Sequence, residues 1–101
     1  MATDAHDGPY SIGSDQWPGT SRVIEEAGEL IQVLGKLIGA GGRTAHWDGS
    51  NLVDRLTEEI GDLRAALDFF IAANGLAAQA INERSQIKSA QYTEWHHQNR
   101  G

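Results

Sequence analysis

The chain of 101 residues is long enough for one domain with a modest core, and its net charge is −6 with histidine neutral. An acidic chain is a poor partner for nucleic acid polymers and for an anionic membrane surface. The sequence contains no cysteine, which excludes disulfide bonds, thiolate metal sites and a cysteine nucleophile. No apolar run approaches the roughly 18 residues that span a bilayer, and we expect a cytoplasmic protein.

The first part of the chain predicts a flexible arm followed by a helix. Residues 1–19 are rich in Gly, Asp, Ser and Pro, with room for a short helix near residues 10–17. A long helix is expected to begin at Thr20 or Ser21, because either hydroxyl can cap the free N–H groups. Leucine, isoleucine and valine recur at helical spacing as far as Ile38, and a cluster of glycines then ends the helix.

Two further helices are predicted after a glycine-rich loop. The second helix begins at Asp48 or Ser50 and runs to about Ala73, where an Asn-Gly pair stops it. The third is expected over residues 77–97, with a weaker apolar stripe. We therefore predict an all-α fold, an antiparallel bundle of three main helices at residues 20–98. Because the weak third stripe leaves apolar surface uncovered, we expect dimerisation to complete the bundle.

The most informative pattern is a repeat of acidic residues. VIEEAGEL at residues 23–30 and LTEEIGDL at residues 56–63 both read apolar, any residue, Glu, Glu, apolar, Gly, acid, Leu. Two acids three positions apart on a helix are neighbours, about 5–6 Å between Cβ atoms, so each pair can grip a cation from one side. The four acids at the rims of the apolar stripes are Glu26 and Glu29 in the first segment, and Glu59 and Asp62 in the second.

The spacing of the repeat predicts that the two acid pairs meet. Glu29 lies nine residues before Ile38, and Glu59 lies nine residues after Ser50. If the two helices pack antiparallel, the carboxylates are level and face each other. Gly28 and Gly61, at equivalent positions beside the acids, further suggest that the two backbones approach closely.

A divalent cation is the predicted partner of these acids. Four facing carboxylates repel each other, and Mg²⁺ or Mn²⁺, which prefer oxygen ligands, remove the repulsion. Iron is a weaker choice because neither segment contains the Glu-x-x-His pair of iron carboxylate bundles. The competing interpretation is a solvated acidic face with ordinary salt bridges.

The acid motifs resemble the E-E-x-x-E … E-x-x-D signature of the MazG-like nucleotide pyrophosphohydrolases. This family belongs to the all-α NTP pyrophosphatases, together with dimeric dUTPases and phosphoribosyl-ATP pyrophosphohydrolases. The resemblance covers about residues 18–95, and the segments KLIG, HWDGSNL and ANGL look like those of small members found in phages and prophages. It implies a homodimer or a dimer of dimers in the cytoplasm of a bacterial or phage-infected cell.

The resemblance also implies an activity and residue roles. The reaction is Mg²⁺-dependent hydrolysis of a (d)NTP between the α- and β-phosphates, giving the monophosphate and pyrophosphate, for nucleotide-pool control or house-cleaning. Mn²⁺ is an expected substitute. Glu25 matches the position that orients or deprotonates the attacking water, and the metal ligands correspond to Glu26, Glu29, Glu59 and Asp62.

Five further residues are candidates for substrate binding, each with a plainer alternative. Lys36 follows Glu29 on nearly the same helix face and is either a phosphate contact or a surface lysine. Arg84 and Lys88 share a face of the third helix with Tyr92, and they either contact pyrophosphate, in one arrangement from a partner subunit, or lie in solvent. Trp47 either stacks on a base or packs at a subunit contact.

A second class of function also fits the sequence. A non-catalytic helical module with a metal-linked acidic cluster would bind a nucleotide or a protein partner without hydrolysis. Phosphoribosyl-ATP hydrolysis is a narrower rival within the enzyme class, and the loop between the acid motifs disfavours it.

Overall fold

The computed structural model describes residues 8–45 and 49–100, and it contains three α-helices in these ranges. They are α1 at Thr20–Gly39, α2 at Leu52–Ala73 and α3 at Ala78–Arg100. No strand occurs in the same two ranges, so the all-helical prediction is confirmed. None of the three helices combines the length and the apolar character required to cross a membrane.

Helices α1 and α2 pack against each other in antiparallel orientation. The side-chain amide of Asn74, one residue beyond α2, donates to the carbonyl oxygen of Pro18, two residues before α1, at 3.0 Å. This bond joins the end of one helix to the start of the other. The pair buries the apolar side chains of Val33, Leu52 and Ala66. The core is therefore a narrow seam between two helices, and it fixes the height of α1 against α2.

Helix α3 does not pack on this pair. It contains no buried residue, and the radius of gyration of the chain is 17.0 Å, whereas a compact chain of 100 residues has a radius of about 13 Å. The prediction of three main helices is confirmed, but the third helix does not join the other two within one chain. That dimerisation brings α3 into a complete bundle stays a prediction.

The caps of the first two helices differ from the predicted ones. The residue before α1 is Gly19, whose left-handed backbone has φ 91° and offers no side-chain cap. Thr20 is already helical, and its hydroxyl donates to the Trp17 carbonyl oxygen at 2.7 Å. Helix α2 begins at Leu52, later than the predicted Asp48 or Ser50, and Asn51 caps it, because its side-chain oxygen accepts from the N–H of Val53 at 2.8 Å.

The segment that precedes α1 forms turns rather than the short helix anticipated near residues 10–17. The N–H of Ser21 donates to the Tyr10 carbonyl oxygen at 2.9 Å, which folds the segment back onto the start of α1. The Trp17 ring stacks on Phe70 of α2 with ring centroids 6.1 Å apart. Residues 8–19 thus rest on the junction where α1 begins and α2 ends.

Candidate metal centre

The α1–α2 pair brings the four predicted acids together. One carboxylate oxygen from each acid lies within 4.8 Å of those from all the others. Antiparallel packing of α1 and α2 produces this convergence, because it places the acid pair of one helix beside the acid pair of the other. Exposure differs across the cluster, because Glu26 is buried, Glu59 is half-buried and Asp62 is exposed. The cluster is therefore closed on one side and open to solvent on the other.

Two carboxylate oxygens in the cluster have no hydrogen-bond partner. They are the buried Oε2 atoms of Glu26 and Glu59, one from each helix. Glu26 as a whole is only 9% exposed. Burial of a carboxylate oxygen without a donor costs free energy, because its hydrogen bonds to water are lost and no other hydrogen bond replaces them. The four donors are all oxygens, which is the ligand type that Mg²⁺ and Mn²⁺ prefer, so the residues fit such an ion.

Burial is the main reason that the pKa of Glu26 is raised above its ordinary value of 4.5. The negative charges of Glu29 and Asp62 raise this pKa further, while Arg22 lowers it through a hydrogen bond and its positive charge. The ionised form of Glu26 is therefore less favourable here than in water. A proton or a metal cation would each relieve the excess negative charge.

A hydrogen bond with Glu59 is the largest cause of the raised pKa of Glu29, followed by burial and by the charges of Glu59 and Glu25. A hydrogen bond with Glu26 acts in the opposite direction. Two carboxyl groups can hydrogen-bond only when one of them carries a proton. Glu29 of α1 and Glu59 of α2 are thus close enough for each carboxyl to influence the other across the helix interface.

Sequence reasoning missed one residue of this cluster, Arg22. Its guanidinium lies 3.3 Å from Oε1 of Glu25 and 3.5 Å from Oε1 of Glu26. Among the residues that the structure describes, no other cation forms an ion pair with the acids of the repeat. The signal was present, because Arg22 precedes the two glutamates by three and four positions, the spacing of side chains that meet on one helix face.

Glu25, predicted to act on the attacking water, lies at the open side of the cluster. Its side chain is 45% exposed and accepts a hydrogen bond from Arg22 at 3.3 Å. Its charge reaches Glu29 strongly enough to raise the pKa of that carboxyl. Glu25 therefore neighbours the four acids and remains accessible to a solvent molecule.

The predicted substrate-binding residues are scattered over the molecule. Lys36 is exposed on α1, beyond Glu29 toward the connecting loop. On α3, the ammonium of Lys88 lies 5.7 Å above the ring of Tyr92, and Arg84 is exposed. Because α3 does not pack on α1 or α2, one chain does not bring these three side chains to the acids. Trp47 lies outside the described residues.

The two glycines beside the acids do not mark a close approach of the backbones, so that expectation is wrong. A Cβ atom added at Gly28 or at Gly61 would meet nothing within 4 Å. Both glycines are exposed, and both lie on the side of their helix away from the seam. The tight position is Gly19 at the junction, where an added Cβ would come within 2.8 Å of the Phe69 ring.

A second concave surface lies at this junction, about 490 Å³ in volume. Tyr10 and Trp17 adopt left-handed backbone conformations there, with φ 67° and 44°. Such conformations are strained for residues other than glycine. The lining residues are Tyr10, Asp15, Gln16, Trp17 and Asn74.

Comparisons with protein families, curated proteins and solved structures found no match to this chain. The resemblance to MazG-like pyrophosphohydrolases therefore depends on the acid motifs, and it stays a prediction. The site itself is defined by geometry: four carboxylates from two helices, one arginine beside them and two buried oxygens without a partner.

Proposed function

We propose that this protein is a Mg²⁺-dependent nucleoside triphosphate pyrophosphohydrolase that converts a (d)NTP to the monophosphate and pyrophosphate. One observation above all supports the proposal. Four carboxylates converge within 4.8 Å, and two of their oxygens are buried without a partner. A solvated acidic face would keep these oxygens in water, so the burial favours a cation-binding cluster.

Glu26, Glu29, Glu59 and Asp62 would hold Mg²⁺, with Mn²⁺ as a substitute. The bound ion supplies positive charge for the phosphate oxygens and lowers the pKa of a nearby water. The chain supplies the arrangement, because the seam between α1 and α2 sets the acids at equal height. A triphosphate alone would be repelled by the same four carboxylates.

Glu25 is placed to act as the general base. It lies beside the cluster and is exposed to solvent, so a water molecule can reach it. In the proposed reaction, the water oxygen forms a bond to the α-phosphorus and the bond from that phosphorus to the α–β bridging oxygen breaks. The proton of the water passes to the Glu25 carboxylate, and pyrophosphate leaves.

The proposal includes a homodimer or a dimer of dimers, in which the second copy completes the site. Lys36 would contact the triphosphate from the same chain. Arg84, Lys88 and Tyr92 would come from α3 of the other copy, which agrees with the separation of α3 from its own α1–α2 pair. Trp47 would stack on the base. The activity would serve nucleotide-pool control in a bacterial or phage-infected cell.

The test is a panel of NTPs and dNTPs incubated with the protein and Mg²⁺ or Mn²⁺, with analysis of the products. We expect monophosphate and pyrophosphate. Glu59→Gln should lower turnover by about 100-fold or more, because a metal ligand contributes several kcal/mol and each 1.36 kcal/mol is tenfold. Glu58→Gln is the matched control, since Glu58 is the exposed neighbour and lies outside the cluster.

Three outcomes would count against the enzyme. Release of orthophosphate alone would indicate a different reaction. Equal activity of the Glu58 and Glu59 variants would show that the cluster is not the site. Binding of nucleotide and metal without hydrolysis under every condition would favour the non-catalytic binding module.

A further inference from the structure

Arg22 lies beside the acidic cluster and is partly buried. Its side chain is 25% exposed, less than that of Glu25 at 45%. One guanidinium nitrogen, Nη1, contacts Oε1 of both Glu25 and Glu26, at 3.3 Å and 3.5 Å. A single donor atom therefore links the proposed general base to the most buried of the proposed metal ligands.

The two oxygens of Glu26 have different environments. Oε1 lies against Arg22, whereas Oε2 is buried and has no hydrogen-bond partner. A carboxylate that is held at one oxygen has fewer rotamers to lose when the other oxygen binds a ligand. Partners that hold a ligand in this way are a general feature of metal sites.

We propose that Arg22 is a positioning residue for the metal centre, holding Oε1 of Glu26 so that Oε2 is offered to the divalent cation. The same guanidinium keeps Glu25 beside the cluster. This role rests on the proposed function, since it requires that the four acids bind a metal ion. It differs from an ordinary surface ion pair, because such a pair would leave metal affinity unchanged.

A competing effect has the opposite sign, and this makes the proposal testable. Arg22 is itself a cation next to Glu26, so it also repels an incoming metal ion. If repulsion dominated, removal of Arg22 would tighten metal binding. If positioning dominates, removal weakens it. We expect weakening, because Arg22 contacts Oε1 of Glu26 and leaves Oε2, which has no hydrogen-bond partner, for the ion.

The experiment is a titration of the full chain with Mn²⁺, in which free Mn²⁺ is counted by electron paramagnetic resonance without nucleotide. Arg22→Ala should weaken binding by about 10- to 100-fold, the range typical for loss of a group that orients a ligand. Arg22→Lys should give an intermediate affinity, because an ammonium is a compact charge without the planar fork of a guanidinium. Helix content is followed by circular dichroism, so that unfolding is recognised.

Arg64→Ala is the matched control. Arg64 is an exposed arginine on α2, two residues from Asp62, and it forms no ion pair within the described part of the chain. The Arg64→Ala variant loses one positive charge near the cluster, as Arg22→Ala does, but it loses no contact with the acids. Its affinity for Mn²⁺ should therefore stay within about twofold of the wild-type value.

The outcomes separate the two proposals. Wild-type affinity or tighter binding in Arg22→Ala would overturn the positioning role and leave the metal centre intact. If Arg22→Ala does not fold, Arg22→Lys provides the test. Its affinity for Mn²⁺ must then be at least severalfold weaker than that of the wild type. If the wild type fails to bind Mn²⁺, the proposed function fails and the role of Arg22 fails with it.

Discussion

Helices α2 and α3 are nearly equal in length, 22 and 23 residues, yet only α2 contributes to a core. Leu52 and Ala66 of α2 are buried against α1, whereas no residue of α3 is buried. Most of the stability of a protein helix comes from packing of one face rather than from intrinsic propensity. The contrast indicates that the contacts within the described part of the chain stabilise the α1–α2 pair and leave α3 without a packed face.

The same two regions differ in charge. The α1–α2 pair concentrates four acids at one place, while α3 carries two cations, the exposed Arg84 and the half-buried Lys88. Half-exposed aromatic rings at Tyr92 and Trp95 accompany these cations, with ring centroids 5.7 Å apart. In the proposed homodimer, these positive and aromatic groups would complement the acids and the apolar rim of the pair in the second copy. The predictions below test this division, from the largest effect to the smallest.

Leu52→Ala should break the pair. Leu52 is 0% exposed at the first position of α2, and truncation of a buried leucine costs about 2–5 kcal/mol because a cavity remains. The free energy of unfolding from urea titration measures the loss. Val53→Ala is the control, since Val53 is 49% exposed and its truncation should cost about 0.5 kcal/mol or less. Similar losses at the two positions would contradict the seam described here.

Mg²⁺ should stabilise the pair, since it binds the folded state through both helices. At a concentration 100 times the dissociation constant, the gain is about 2.7 kcal/mol. Removal of the ion with a chelator should reverse the gain. Glu59→Gln should abolish most of it, and Glu58→Gln should not. If the unfolding midpoint of the wild type is the same with and without Mg²⁺, that result would contradict the metal centre.

The pH dependence of the metal-free protein follows from the raised pKa values of Glu26 and Glu29. Between 4.5 and the raised pKa of the folded state, the native protein holds more protons than the unfolded chain. The contribution of these two carboxyls to the free energy of unfolding is therefore largest below pH 4.5. It is lost as the pH rises through the pKa of the folded state. Urea titrations across this range should show a shallower decline in Glu26→Gln. The gain from Mg²⁺ should shrink as pH falls, because protons compete for the same oxygens.

Gly19→Ala should loosen the junction at which α1 begins. Gly19 has φ 91°, and its added Cβ would lie 2.8 Å from the Phe69 ring. The left-handed backbone alone costs about 1–2 kcal/mol with a side chain, so we expect a loss of about 1–3 kcal/mol. Gly28→Ala is the helical control, and it should stabilise by about 0.5–1 kcal/mol because its Cβ meets nothing within 4 Å. Destabilisation at both positions, measured by thermal unfolding, would contradict the open surface at Gly28.

The features that the sequence predicted well depend on local periodicity. The end of α2 at Ala73 follows from the Asn-Gly pair after it, and the convergence of the four acids follows from helical spacing along one chain. The start of α1 at Thr20 was predicted correctly, but its cap was not, because the position before it is Gly19, which lies against the Phe69 ring in a tertiary contact. Arg22 was readable from its spacing, but its partial burial was not, since burial depends on how α1 meets α2.

The surface that packs against a helix is harder to predict from sequence than the set of side chains that lie on one face of that helix. The apolar spacing in α3 indicated which side chains align, and it gave no information on whether their partner is α1, α2 or another molecule. The glycines beside the acids show the same limit. Gly28 and Gly61 weaken their helices, yet the structure leaves space around them instead of a neighbouring backbone.

Ile87→Ala gives the smallest expected effect and the sharpest test of α3. Ile87 is 53% exposed, so in dilute solution its truncation should change the free energy of unfolding by about 0.5 kcal/mol or less. If a second copy covers α3, the cost grows with protein concentration, because the dimer is the state that buries the side chain. Chemical unfolding at two concentrations a hundredfold apart measures this difference, with sedimentation to follow the oligomer. A constant small cost would argue that no second copy covers Ile87, and a large cost in dilute solution would mean that α3 packs on its own chain after all.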